Sequence, residues 1–246
     1  MSNTVDVSTR EVGGGKATSR AMRLEVGAVV FLLCAPALAS LGSRLIWGSA
    51  YPEQAGYRTA AAFETMVFER TLISLRYVPL ILFVIWRSGE GWSRFGIVKI
   101  ELGKDVWIGL GLWIVVAALD GLIGLAFHRH YPWSRLLAVS VSPERALLLV
   151  VHTCAVGFSE ELTCRAYLIS RLEAITGAAW KGVALSAVLF GFVHVSNGYV
   201  SAIGSLVVGL VWGVGFCLTR RIWPVALSHA ILDFIVYTHL GALVGM

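Results

Sequence analysis

Apolar residues run along this chain in long blocks, separated by short polar connections. The blocks fall at 24–47, 70–87, 105–127, 144–170, 178–196, 199–219 and 222–243. At 1.5 Å rise per residue, helices of about this length cross most of a hydrocarbon core of about 30 Å. The pattern predicts an all-α fold, a polytopic transmembrane helical bundle of about seven spans (six to eight). Residues 1–23 are polar and rich in Gly, Ser and Thr, and predict a disordered cytoplasmic tail. Residues 24–143 would supply accessory helices, with the mixed aromatic and basic stretch GWSRFGI at 91–97 lying at the interface. Pro143 is placed to open the fourth span, where its missing N–H matters least. Pro79 and Pro224 sit near span ends. The ALAS stretch at 37–40 fits a signal-peptidase site, but the apolar run continues to Trp47, so the segment reads as an uncleaved span.

Composition strengthens that picture. The chain of 246 residues is 57% hydrophobic and 14% charged, with a mean hydropathy of +0.76; soluble domains carry about a quarter charged residues. The net charge of +5 comes from basic residues between the apolar blocks. That distribution suits headgroup contact and topology, and it offers no patch for nucleic acid. Lys and Arg are concentrated at the N-terminus and in alternate connections: Arg87 to Lys104, Arg171 and Lys181, then Arg220 and Arg221. The positive-inside rule then gives a cytoplasmic N-terminus and an external C-terminus. Short loops and the lack of an organelle signal suit a bacterial inner membrane. Cys34, Cys154, Cys164 and Cys217 all lie within apolar blocks and read as small buried hydrophobes.

The chemistry lies in polar residues that lipid does not tolerate. The stretch SEELTCRAYL, residues 159–168, places Glu160, Glu161 and Arg165 inside an apolar block. Each charge at mid-membrane costs about 2.5–3.5 kcal/mol on insertion scales. Glu161 and Arg165 are four apart on one helical face, acid before base, and suit an ion pair. Glu160 is turned about 100° away and is left for the bundle interior. His194 follows Phe190 by four residues in LFGFVHVSNG, and His229 and Asp233 share a face in ALSHAILDF. The last spacing suits a carboxylate orienting an imidazole, or two ligands of one metal. Counted along their helices, Glu160 and His229 come to about the same depth, with His194 several Å nearer the outside. Ionisable residues meeting in one membrane cavity mark an active site or a pathway.

Three motifs carry a family resemblance: EELTCR fits EExxxR, FGFVH fits FxxxH, and HAILD fits HxxxN/D. Together, in order and each in its own span, they resemble the CPBP family of intramembrane proteases. That family takes in CAAX prenyl endopeptidases and bacteriocin-processing, Abi-like proteins. The resemblance implies a catalytic core over 144–243 with four helices around an intramembrane cavity. It implies Glu160 as the general base that activates water and His194 as a holder of that water. His229 and Asp233 would stabilise the oxyanion, with Glu161, Arg165 and Phe190 supporting the site. Because Asp233 stands where the motif also allows Asn, it is expected to accept from His229 and orient it.

The resemblance favours a glutamic mechanism with no cofactor. The alternative is a zinc-dependent protease held by Glu160, His194, His229 and Asp233, whose residue types would serve, although HExxH is absent. The expected substrate is a membrane-embedded or lipid-anchored peptide, with the bilayer as the other partner. Competing readings are a non-catalytic binding protein, such as an immunity factor or scaffold, and a transporter. Internal symmetry of the kind common in transporters is not apparent. Substrate identity and oligomeric state stay open at this level.

Overall fold

The computed structural model describes residues 8–47, 60–127 and 143–237. Among them every regular element is helical. Eight helices are numbered in chain order: α1 (Ser8–Trp47), α2 (Ala60–Leu75), α3 (Tyr77–Arg87), α4 (Leu102–Ala126), α5 (Pro143–Thr176), α6 (Ala179–Val193), α7 (Tyr199–Thr219) and α8 (Ile222–Tyr237). Four stretches are long and apolar enough to cross a membrane: Arg20–Ser43, Leu102–Ala126, Pro143–Thr176 and Tyr199–Thr219. α6 and α8 are shorter apolar helices. The molecule is a polytopic helical bundle, as the block pattern predicts.

Three elements differ from the sequence expectation. α1 begins at Ser8, inside the segment expected to be disordered; once an apolar helix is nucleated, each added residue gains a hydrogen bond, so it extends into polar sequence. The expected single span at 70–87 is two helices meeting at Arg76. Pro79 explains the break: it lacks an N–H, and its ring crowds the carbonyl of Leu75, the last residue of α2. α6 ends at Val193, short of the predicted 196, and His194 closes it with non-helical dihedrals. The end of the last expected span, 238–243, lies outside the described residues.

α5 is the spine of the C-terminal half. It opens at Pro143, as predicted, and runs as α-helix to Glu161. Leu162–Ile169 then widens into a π-helical segment, all of it buried. π segments are rare and tend to occur at functional sites; this one begins one residue after Glu161 and contains Arg165. Around it pack α3, α6, α7 and α8. α8 lies closely along α5 because of Gly157, where a Cβ would stand 3.0 Å from the Ala226 carbonyl oxygen and 3.1 Å from the Ala230 nitrogen. Small residues are the usual means by which membrane helices approach closely.

A polar belt fastens the other end of the π segment. The Tyr167 hydroxyl donates to Glu25 on α1 at 2.8 Å. Arg171 pairs with Glu90 and lies 3.4 Å from Glu25. Its guanidinium also sits 5.0 Å from the Phe95 ring centroid, within GWSRFGI. A second clamp joins α4 to the start of α8: Arg221 bonds Asp105, Glu101 and the Lys99 carbonyl. The cysteines are all free; Cys34 and Cys164 are buried, but Cys154 is exposed on the bundle's outer face, contrary to the expectation for it.

Candidate active site

Helical spacing places the partners on each helix, and packing of α5 against α8 brings the helices' polar faces together. Glu161 and Arg165 are wholly buried, and Arg165 Nη1 donates to Glu161 Oε1 at 2.8 Å. This is the intrahelical pair read from the sequence. The same Oε1 lies 2.8 Å from His229 Nδ1 on α8. Glu161 beside a guanidinium is ionised and can only accept, so Nδ1 of His229 carries a proton and donates. The second imidazole nitrogen, Nε2, then points toward Asp233 Oδ2 at 3.5 Å and Glu160 Oε2 at 3.8 Å.

Asp233, expected to accept from His229 and orient it, lies at ion-pair distance from the ring, 3.5 Å from Nε2. Asp233 and His229 lie on one face, but no hydrogen bond joins them, and Glu161 from the neighbouring helix holds the imidazole instead. A side chain four residues away along a helix can sit beside a ring without lying in its plane. A carboxylate from a packed neighbour can reach the ring edge.

His194 joins the cluster from the end of α6. Its Nδ1 lies 2.8 Å from the Phe190 carbonyl, so Nδ1–H donates and Nε2 keeps a lone pair. Its ring centroid is 4.7 Å from that of Phe190, which in turn stands 6.0 Å from His229 in an edge-on arrangement. Asp233 is within electrostatic reach of His229, Glu160, His194 and Glu161 alike. The four expected catalytic residues therefore converge. Access is uneven: the Glu160 side chain is 31% exposed and that of Asp233 23%, against 5% for His229. Within Glu160, Oε2 is buried and has no hydrogen-bond partner.

Aromatic walls, which the sequence did not single out except for Phe190, enclose the cluster. The Trp212 ring lies 4.2 Å from the His229 ring at an interplanar angle of 21°. Its Nε1–H donates to Ser228 Oγ at 2.9 Å. The Arg165 guanidinium sits 4.3 Å from the Phe190 centroid and 5.2 Å from that of Trp212. Gly209, one turn before Trp212, leaves room for this: a Cβ there would meet Phe190 at 3.3 Å and Arg165 Nη2 at 3.4 Å. The glycines flanking Trp212, Gly209 and Gly213, are the sequence signal that could have found it.

His152, two turns before Glu160 on α5, belongs to a separate cluster. Its Nδ1 is 2.8 Å from Thr71 Oγ1, and its ring packs edge-on against Tyr237. Among the described residues no three His, Cys, Asp or Glu side chains are grouped as a metal ion requires.

No curated protein and no solved structure matches the chain. Residues 141–235, which contain all three motifs and every residue of the cluster just described, match the family model of the type II CAAX prenyl endopeptidases, Rce1-like, the grouping that those motifs resemble.

Proposed function

We propose that the protein is an intramembrane endopeptidase that hydrolyses a peptide bond near a membrane anchor, with Glu160 as general base and no metal. The family match supports an endopeptidase of the CAAX type. The observation that carries the mechanism is Glu160 Oε2, a buried, unpartnered carboxylate oxygen 3.8 Å from His229 Nε2. A buried carboxylate oxygen with no hydrogen-bond partner is suited to take a proton from water.

The protons can be followed atom by atom. The attacking water gives one proton to Glu160 Oε2, while its second O–H donates to the lone pair of His194 Nε2. The oxygen bonds to the scissile carbonyl carbon, and the carbonyl becomes an oxyanion. His229 faces it through Nε2. Because Nδ1–H is committed to Glu161, Nε2 can donate only when His229 is the imidazolium. The ionised Glu161 compensates that charge, which keeps the site from holding a bare buried cation. The oxyanion then collapses, the C–N bond breaks, and Glu160 returns its proton to the leaving amine.

Asp233 adds negative potential beside the imidazolium without a hydrogen bond to it. The substrate is a membrane-embedded or lipid-anchored peptide, reached from the exposed side of Glu160 and Asp233. The N-terminus faces the cytoplasm, following the distribution of Lys and Arg, and the host membrane is a bacterial inner membrane.

The test compares membrane and secreted peptides from host cells carrying wild type, Glu160→Gln or no protein. An uncut precursor accumulating equally with the variant and the deletion supports the protease. A Glu160→Gln variant that behaves as wild type while the deletion does not turns the cluster into a binding site.

A further inference from the structure

We infer that Trp212, anchored by Ser228, is a positioning residue that fixes the plane of the His229 imidazole so that Nε2 faces the reacting carbonyl. The inference rests on the protease reading for its kinetic consequence, but its geometric content stands apart from that reading.

Besides the Asp233 and Glu160 carboxylates at 3.5 and 3.8 Å from Nε2, three contacts restrain the His229 ring, and only one is a hydrogen bond. Glu161 Oε1 holds Nδ1 at 2.8 Å, which fixes one edge but leaves the ring free to tilt about that bond. Phe190 meets the ring edge-on at 6.0 Å between centroids. Trp212 covers the ring face at 4.2 Å and 21°. Of the three, only a near-parallel plate opposes tilting. Trp212 is itself immobilised: it is 1% exposed, and its indole N–H is committed to Ser228, the residue next to His229 and also wholly buried. The two ends of the stack therefore belong to one unit, with Ser228 and His229 on α8 and Trp212 on α7.

The indole also does electrostatic work. A tryptophan face is the best of the aromatic faces for a cation. Trp212 lies beside two cations that share Glu161 Oε1, the Arg165 guanidinium and the His229 imidazolium. Two positive groups converging on one carboxylate oxygen repel each other. The indole supplies negative potential to both, and the adjacent Phe190 ring does the same for Arg165. A phenyl ring at 212 would keep the plate and lose the anchor to Ser228. An aliphatic side chain would lose both.

The experiment uses the full chain in detergent with 15N- and 13C-labelled histidine, in wild type, Trp212→Phe, Trp212→Leu, Ser228→Ala and the control Trp107→Leu. Trp107 is 76% exposed on α4, far along the chain from the site. His229 is assigned by its loss in His229→Gln. In wild type its ring resonances carry the ring-current displacement of a stacked indole, and Nδ1 carries the signature of a hydrogen bond to a carboxylate. Trp212→Leu is expected to abolish the displacement and broaden or shift the Nδ1 signal; Trp212→Phe is expected to retain most of both. In turnover of the precursor found by the peptide comparison, Trp212→Leu is expected to lower kcat about 10–100-fold with KM nearly unchanged, since a displacement of about 1 Å at a reacting group costs about that much. Trp212→Phe restores most of the loss, and Ser228→Ala gives a smaller drop. An Nδ1 signal and a kcat both unchanged in a folded Trp212→Leu protein overturn the inference, as does a loss that falls on KM alone. If wild type cleaves nothing, the protease reading fails, and the His229 resonances still decide whether Trp212 positions the ring.

Discussion

Two buried arginines divide the labour of this bundle. Arg221, at the α7–α8 junction, is bonded through every guanidinium nitrogen: Nε and Nη2 bond the two oxygens of Asp105, Nη1 bonds Glu101, and Nη2 also reaches the Lys99 carbonyl. Asp105 in turn accepts from the Glu101 amide. Arg165, in the π segment of α5, makes one hydrogen bond, to Glu161, and its Nε and Nη2 have none. Glu161 Oε2 and Glu160 Oε2 are also buried without hydrogen-bond partners. A saturated network specifies one geometry and rigidifies it. A partly satisfied one costs stability, and proteins keep such costs where chemistry needs the groups. Of these two arginines, the one bonded through every nitrogen serves the clamp, and the incompletely bonded one lies in the candidate site.

The contrast can be broken most decisively at Glu160. Glu160→Gln is expected to lower turnover by about 10²–10⁴-fold, the range for loss of a general base, while leaving the thermal midpoint in detergent within a degree or two. An equal loss of folding would assign the residue to the scaffold instead.

Next comes Glu161→Leu, which strands both Arg165 and the His229 imidazolium. It is expected to destabilise the fold by about 3–5 kcal/mol, as removal of one partner from a buried pair does. Replacing Arg165 by Leu as well is expected to recover much of that stability and none of the activity. Denaturation of the single and double variants, read beside turnover, separates the two effects.

Arg221→Met sharpens the comparison from the other side. It leaves Asp105 buried and unpaired, with an expected penalty of about 3 kcal/mol, yet folded protein is expected to turn over within about threefold of wild type. A selective loss of kcat would make the clamp part of the site. The smallest effect is expected for Asp233→Asn. With no hydrogen bond between residue 233 and His229 to lose, and an amide able to donate directly, turnover is expected to stay within about tenfold, the scale of one neutral hydrogen bond. A larger drop would give the Asp233 carboxylate a role that its 3.5 Å separation from Nε2 does not suggest.

Much of the site was legible before any coordinates. A helix repeats every 3.6 residues, so Glu161 with Arg165, Phe190 with His194 and His229 with Asp233 had to share faces. The apolar blocks that hold them had to be helices, because lipid leaves a backbone few other ways to satisfy its polar groups. Pro79 is visible in the sequence near a span end, but that position alone does not show that its ring separates α2 from α3 at Leu75. Trp212 stayed hidden because a tryptophan in an apolar helix is ordinary, and only the flanking Gly209 and Gly213 hinted at close packing.

What the sequence determined by itself was thus most of what a single helix carries: the apolar blocks, the paired faces, and the charged turn at 160–165. What only the tertiary structure decided was which face meets which. That Glu161 rather than Asp233 holds His229, that Trp212 lies on its ring, and that His152 turns to Thr71 instead of the site all depend on the rotation and depth of one helix against another. Those quantities are set by side-chain packing summed over whole interfaces, such as the approach allowed by Gly157, and no local spacing encodes them.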